Sequence, residues 1–101
     1  MQFEYERPKD TAGEPTLAEM TRAAIARLSR NGNGYVLLVE AGRIDHANHY
    51  GNAYRALSDT VAMSDAVRAA NEATSVDDTL IIVTADHSHV LNFAGYPQRG
   101  N

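Results

Sequence analysis

Tyr35-Val36-Leu37-Leu38-Val39 and Thr79-Leu80-Ile81-Ile82-Val83-Thr84 are the two stretches on which the fold turns. Each is a short apolar run without polar alternation, the pattern of a strand covered on both faces. Between them runs a helical pattern, from Asp45 or His49 to about Ala73, with Tyr50, Ala53, Leu57, Val61, Ser64 and Val67 at near-helical steps. Strand, helix and strand in this order predict a βαβ unit with parallel strands and a right-handed crossover. The helical phase places Ala53, Leu57 and Val61 against the sheet and turns Arg55, Asp59 and Arg68 outward.

Upstream, Thr16 and Glu19 fit a capping box, and Leu17, Met20, Ala24 and Leu28 repeat at helical spacing. A helix is therefore predicted over 16–30. Arg27 and Arg30 suit the negative end of its dipole, and Asn31-Gly32-Asn33-Gly34 stops it. Residues 1–15, broken by Pro8, Gly13 and Pro15, read as an arm or loop, and 88–101 read as loop. The fold class is accordingly α/β, one βαβ unit with a preceding helix. Doubly apolar parallel strands need helices on both faces and further strands beside them, so 1–101 reads as a single partial domain.

Hydrophobic residues at 44% and charged residues at 22% place the chain among packed globular proteins rather than disordered ones. A net charge of −4 with no basic run leaves no electrostatic footprint for nucleic acid. The absence of cysteine excludes a thiolate nucleophile and leaves His and carboxylates as the metal ligands. No apolar stretch approaches the roughly 18 residues of a membrane span, and the start, MQFEYERPKD, has no signal-peptide pattern.

In a parallel α/β sheet, ligands gather beyond the carboxyl ends of the strands. Glu40, Asp45, His46 and His49 follow the first apolar run, and Asp86, His87 and His89 follow the second. Asp45 and His49 stand at i and i+4, on one face of a helix, which suits two ligands of one zinc ion. Asp86-His87 offers the same pair of donors. Glu40, a carboxylate with no imidazole beside it, suits magnesium. Each residue alone also reads as a cap or a surface group, but those readings do not bring them to one rim. Ser88 lacks an activating base and oxyanion donors, so it is not assigned as a nucleophile.

VEAGRIDHANH (Val39 to His49) and VTADHSHV (Val83 to Val90) resemble the two metal-binding segments of alkaline phosphatases, in family order. The resemblance runs from the helix near Thr16 to the end of the chain and departs at Ala41, where the family commonly has glycine. It implies two Zn2+ and one Mg2+: Glu40 as the magnesium ligand, Asp45 and His49 on the first zinc, Asp86 and His87 on the second. It also implies that His46 lies near the substrate phosphate and that His89 partners the zinc-binding aspartate. The implied fold is three-layered, with a largely parallel sheet flanked by helices.

The implied reaction is hydrolysis of small-molecule phosphate monoesters through a phosphoserine intermediate. The implied setting is periplasmic or extracellular, and the resemblance admits a homodimeric parent. The family's nucleophilic serine, bridging aspartate, phosphate-clamping arginine and further zinc-binding histidine have no matching motif here. Residues 1–101 thus resemble a fragment of a catalytic domain, inactive by itself. Two rivals share the ligands: a two-metal phosphodiesterase or sulfatase-type hydrolase, and a non-catalytic metal-binding module. Glu40 argues for the magnesium-using monoesterase.

Overall fold

Helices form where the sequence carries their signals. In the computed structural model, which describes residues 1–92, 95–96 and 98–100, helix α1 spans Leu17–Leu28. The Thr16 hydroxyl accepts the Glu19 N–H at 3.0 Å and the Glu19 carboxylate accepts the Thr16 N–H at 2.7 Å, completing the predicted capping box. Beyond α1, the Asn31 side chain accepts the Asn33 N–H and donates to the Gly34 carbonyl, closing the turn expected at that point.

The long helical pattern resolves into two helices, α2 (Arg43–His49) and α3 (Ala53–Ala73). The break lies at Tyr50-Gly51-Asn52, where Gly51 adopts φ +64°, a left-handed conformation that a side chain would strain. Gly51 N–H donates to the Asn48 carbonyl and Asn52 N–H to the Ala47 carbonyl, both at 2.9 Å, the paired bonds of a Schellman end. Asn52 then caps α3 by accepting the Arg55 N–H at 3.0 Å.

α3 packs on both α1 and α2. Its buried stripe is Ala56, Asp59, Ala66 and Ala69, faced by Leu17, Thr21 and Ile25 as the buried row of α1. The expected phase is corrected: Ala53, Leu57 and Val61 are exposed, and Asp59, expected to face outward, is only 8% exposed. Alanines won over larger residues because they let neighbouring backbone come close, and the Asp59 carboxylate enters the stripe because Oδ2 accepts the Glu4 N–H at 3.2 Å. Arg68 does face outward.

The predicted α/β class with its βαβ unit is overturned. Among the described residues there is no strand and no sheet; the elements are the three α-helices and a 3₁₀ turn at Arg7–Lys9. Among the described residues, 35–39 and 80–84 make no backbone–backbone hydrogen bond, and Val36, Leu38, Leu80 and Ile82 are 96%, 90%, 84% and 75% exposed. The physical reason is that a helix satisfies its N–H and C=O groups within one segment, whereas a strand does so only through a neighbour. An apolar run shows what favours burial without supplying what buries it.

The N-terminal arm is more than the loop expected of it. Phe3 is buried with Ala47 of α2 and Ala56 of α3, and Glu4 and Arg7 pair at 2.8 Å beside the 3₁₀ turn. No helix of the described residues is long and apolar enough to cross a membrane.

Candidate metal centre

Asp45 occupies the first turn of α2, where the helix dipole favours a carboxylate, and His49 is its last residue. Their i, i+4 spacing brings His49 Nε2 to 3.3 Å from Asp45 Oδ2. The segment after residue 84 closes over the other carboxylate oxygen. His89 Nε2 lies 3.5 Å and His87 Nε2 3.6 Å from Asp45 Oδ1, and His87 Nε2 is also 3.4 Å from Asp86 Oδ2. The His49 and His89 rings meet edge to face at 4.7 Å. Thus Asp45, half-buried like His89, joins groups from two distant parts of the chain.

Asp45 Oδ1 is buried and has no hydrogen-bond partner among the described residues. A buried acceptor left in this state costs about 1–3 kcal/mol, more when charged, unless a proton or cation faces it. Asp45, His49 and His89 each offer a ligand atom, all within 4.8 Å of one another. Zinc with ligands at about 2.0–2.1 Å in a tetrahedron requires ligand atoms about 3.3 Å apart. The nitrogen–oxygen separations of 3.3–3.6 Å around Asp45 are close to that spacing.

The imidazoles are not equivalent. Val90 N–H donates to His89 Nδ1 at 2.8 Å, so the neutral ring carries its proton on Nε2, the nitrogen facing Asp45 Oδ1. His87 is the reverse: Nδ1 lies 2.8 Å from the Ser88 carbonyl and must donate to it, which leaves Nε2 as a bare lone pair facing the Asp86 and Asp45 carboxylates. Acceptors turned toward one another repel unless a positive charge stands between them. The Ser88 hydrogen bond, then the Asp86 charge and the more distant Asp45 charge, accordingly raise the His87 pKa above its ordinary value, against desolvation.

The structure leaves other sequence-selected residues outside this group. Glu40 is exposed; its carboxylate folds over Gly42, where an added Cβ would stand 3.1 Å from Oε1, and it borders a shallow cleft with Met1, Arg7 and Asp59. The Asp86 side chain is largely exposed and approaches the centre through His87. His46 is exposed, with Nδ1 3.5 Å from Arg43 Nη1. Ser88 enters only through its carbonyl. Phe3, which packs behind α2, and Arg43, the first residue of α2, which lies over the Phe3 ring, were not singled out in the sequence; the i, i+4 spacing of Arg43 and the small Ala47 was the available signal.

The family model described as alkaline phosphatase matches residues 1–101. The chain is 52% identical over 99 residues to the tissue-nonspecific isozyme of alkaline phosphatase from Felis catus, covering 98% of this chain and 19% of that protein. It is 50% identical to the membrane-bound alkaline phosphatase of Bombyx mori, over 97% of this chain and 18% of that one, and 50% identical to the alkaline phosphatase of Gadus morhua, over 98% and 20%. The chain therefore spans about a fifth of the length of these relatives. No solved structure matches it. With a match that runs unbroken through both segments lining the Asp45 centre, the chain belongs to the alkaline phosphatase family.

Proposed function

We propose that this chain supplies metal ligands to an enzyme that hydrolyses phosphate monoesters. The observation that carries the reading is Asp45 Oδ1, buried, without a donor, and ringed by imidazole nitrogens. Asp45 and His49 hold one zinc ion, and Asp86 and His87 hold two positions of a second. The tautomers support this division. The His87 Nδ1–H held by a backbone carbonyl is the arrangement that orients a ligating imidazole, while His89, its proton on Nε2, faces Asp45 Oδ1 from 3.5 Å without hydrogen-bonding to it. Glu40 is the magnesium ligand of this reading and His46 lies toward the phosphate; family membership supports both assignments.

Divalent ions held by Asp45, His49, Asp86 and His87 would supply positive charge to stabilise the attacking and leaving oxygens of an in-line displacement. The chain's own residues fix the carboxylates, set the imidazole protonation and crowd water from one side of Asp45. A periplasmic or extracellular setting, small phosphate monoesters as substrates and a homodimeric parent complete the reading by family membership.

The test has two arms. Zinc titrated calorimetrically into the 101-residue chain binds, and Asp45→Ala abolishes the uptake that belongs to the Asp45–His49 site, while the chain alone turns over no phosphate monoester because it contains no assigned nucleophile or phosphate clamp. Grafted in place of the matching segment of the Gadus morhua alkaline phosphatase, the chain supports hydrolysis of p-nitrophenyl phosphate that His87→Ala removes. A zinc-loaded chimera that cleaves only phosphodiesters or sulfate esters would transfer the reading to the related two-metal hydrolases. A wild-type chain that takes up no zinc would end it.

A further inference from the structure

α2 has seven residues, about two turns, and helices that short are not stable by themselves in water. Its two faces do different things. Asp45 and His49 look toward the histidine segment, whereas Arg43 and Ala47, roughly opposite around the axis, look toward the N-terminal arm and α3. Ala47 is fully buried, in a cluster with Phe3 and Ala56. The residues on the metal side, by contrast, are half-buried or exposed. The packing that holds α2 in place is therefore on the side away from the metal.

Phe3 is the centre of that packing. Two guanidinium groups lie over its ring: Arg43, the first residue of α2, at 4.8 Å, and Arg55, in the first turn of α3, at 4.7 Å. Each such contact is worth about 0.5–1 kcal/mol when exposed and more when desolvated. The backbone beside the ring is tied to the same helices. Arg43 Nε donates to the Met1 carbonyl at 2.6 Å, with Nη2 donating to the same oxygen; Glu4 N–H donates to Asp59 Oδ2; and Arg55 pairs with Glu6. The arm thus grips α2 and α3 on both sides of the Tyr50-Gly51-Asn52 break.

We propose that Phe3 is a positioning residue for the metal centre: residues 1–6 form a strap whose Phe3 ring, clamped by Arg43 and Arg55, fixes α2 against α3 and so sets where Asp45 and His49 stand. The inference rests on the metal-binding reading above. Ligand geometry must be held within about 0.5 Å to work, and a two-turn helix anchored through its own Arg43 to an aromatic ring that Arg55 of α3 also covers depends on that anchor for its precision. Removing a group that orients a ligand typically weakens metal binding by about 10–100-fold.

The experiment compares the wild-type chain with Phe3→Ala, Phe3→Tyr and Ile25→Ala. Ile25→Ala removes a buried side chain from α1, which does not pack on α2 among the described residues. Each variant is first checked for helical content by circular dichroism, then titrated with zinc. Phe3→Ala is expected to weaken zinc binding by about 10–100-fold, while Phe3→Tyr, which keeps both ring faces, and Ile25→Ala stay within about threefold. In the metal-free chain, hydrogen exchange at the Ala47, Asn48 and His49 amides should quicken about tenfold in Phe3→Ala and recover in Phe3→Tyr. Unchanged exchange there, unchanged zinc affinity in Phe3→Ala, or an equal loss in Ile25→Ala would overturn the strap. A wild-type chain that binds no zinc strikes the metal reading instead, and the metal-free exchange still decides whether the strap holds α2.

Discussion

The helix α1 and the segment Thr79–Thr84 are both apolar enough to announce themselves in the sequence, yet they end differently. In α1, Leu17, Thr21 and Ile25 are buried against α3, the first turn is closed by the Thr16–Glu19 side-chain hydrogen bonds, and the last by the Ser29 N–H donating to the Ile25 carbonyl. In Thr79–Thr84, Leu80 and Ile82 stand largely in solvent and residues 80–84 have no backbone partner among the described residues. The difference is between a structure that needs its own next four residues and one that needs a second strand. Apolar content is shared; only the means of satisfying the backbone differs.

That comparison predicts unequal costs for equal truncations. Ile25→Ala, at 6% exposure, is expected to lower unfolding stability by about 2–5 kcal/mol. Ile82→Ser, which removes a side chain already in water, is expected to change it by no more than about 0.5 kcal/mol and to reduce binding of a hydrophobic dye. Both are read by chemical denaturation of the 101-residue chain. Equal losses at the two sites would mean that Thr79–Thr84 is packed in solution and that the contrast is false.

A smaller effect sharpens the helical side. Thr16→Ala removes the hydroxyl that accepts the Glu19 N–H and leaves the Glu19 carboxylate with one fewer donor. About 1 kcal/mol of stability is expected to go with it, and the Glu19 pKa, held down chiefly by the Thr16 backbone N–H and then by its hydroxyl, is expected to move partway back. NMR titration of the Glu19 carboxyl checks the second point. No stability loss would show that α1 is held by packing alone and that its local signals were incidental.

The smallest effect lies at Asp59, where a charge sits in the stripe that larger apolar residues were expected to fill. Burial pushes its carboxyl pKa up; the Glu4 N–H that it accepts opposes the shift, and the nearby Glu4 charge adds to it. Because the folded pKa lies above the unfolded one, the folded chain keeps a proton that the unfolded chain has lost. The stabilisation is therefore full below the unfolded pKa and is lost as pH rises through the folded value. Asp59→Asn keeps an acceptor for the Glu4 amide and is expected to flatten this dependence, with a gain at pH 7 of no more than about 1 kcal/mol. Denaturation midpoints measured from pH 4 to 7 test it; a wild-type stability that climbs with pH in a manner abolished by the substitution would reverse the sign.

Local chemistry was readable wherever its hydrogen bonds close within a few residues. Thr16 and Glu19 marked the start of α1, Asn31 to Gly34 marked its stop, and Asp45 with His49 stood at the spacing that brings them to 3.3 Å. The break in the long helix was not read, although Gly51 and Asn52 carried the signal: apolar periodicity continued across it, and a glycine within a helical pattern is ambiguous until its φ is known. The buried stripe of α3 was misplaced for a related reason. Ala56, Ala66 and Ala69 rank below Leu57 and Val61 in hydrophobicity, and only the closeness of α1 and the arm makes the small residues the buried ones.

By itself, then, the sequence determined the helix-forming segments, the donor types available to a metal and the family, because these depend on residue identity and short-range spacing. Tertiary structure alone decided that the two apolar runs lie unpaired among the described residues, that Asp45 meets His87 and His89 while Glu40 turns away, and that Phe3 is buried in a segment that reads as a polar arm. Those outcomes depend on which distant surface arrives opposite each residue. Backbone hydrogen bonding, burial and charge pairing reward whatever partner is within a few ångströms, and the chain sequence carries no direct record of that distance.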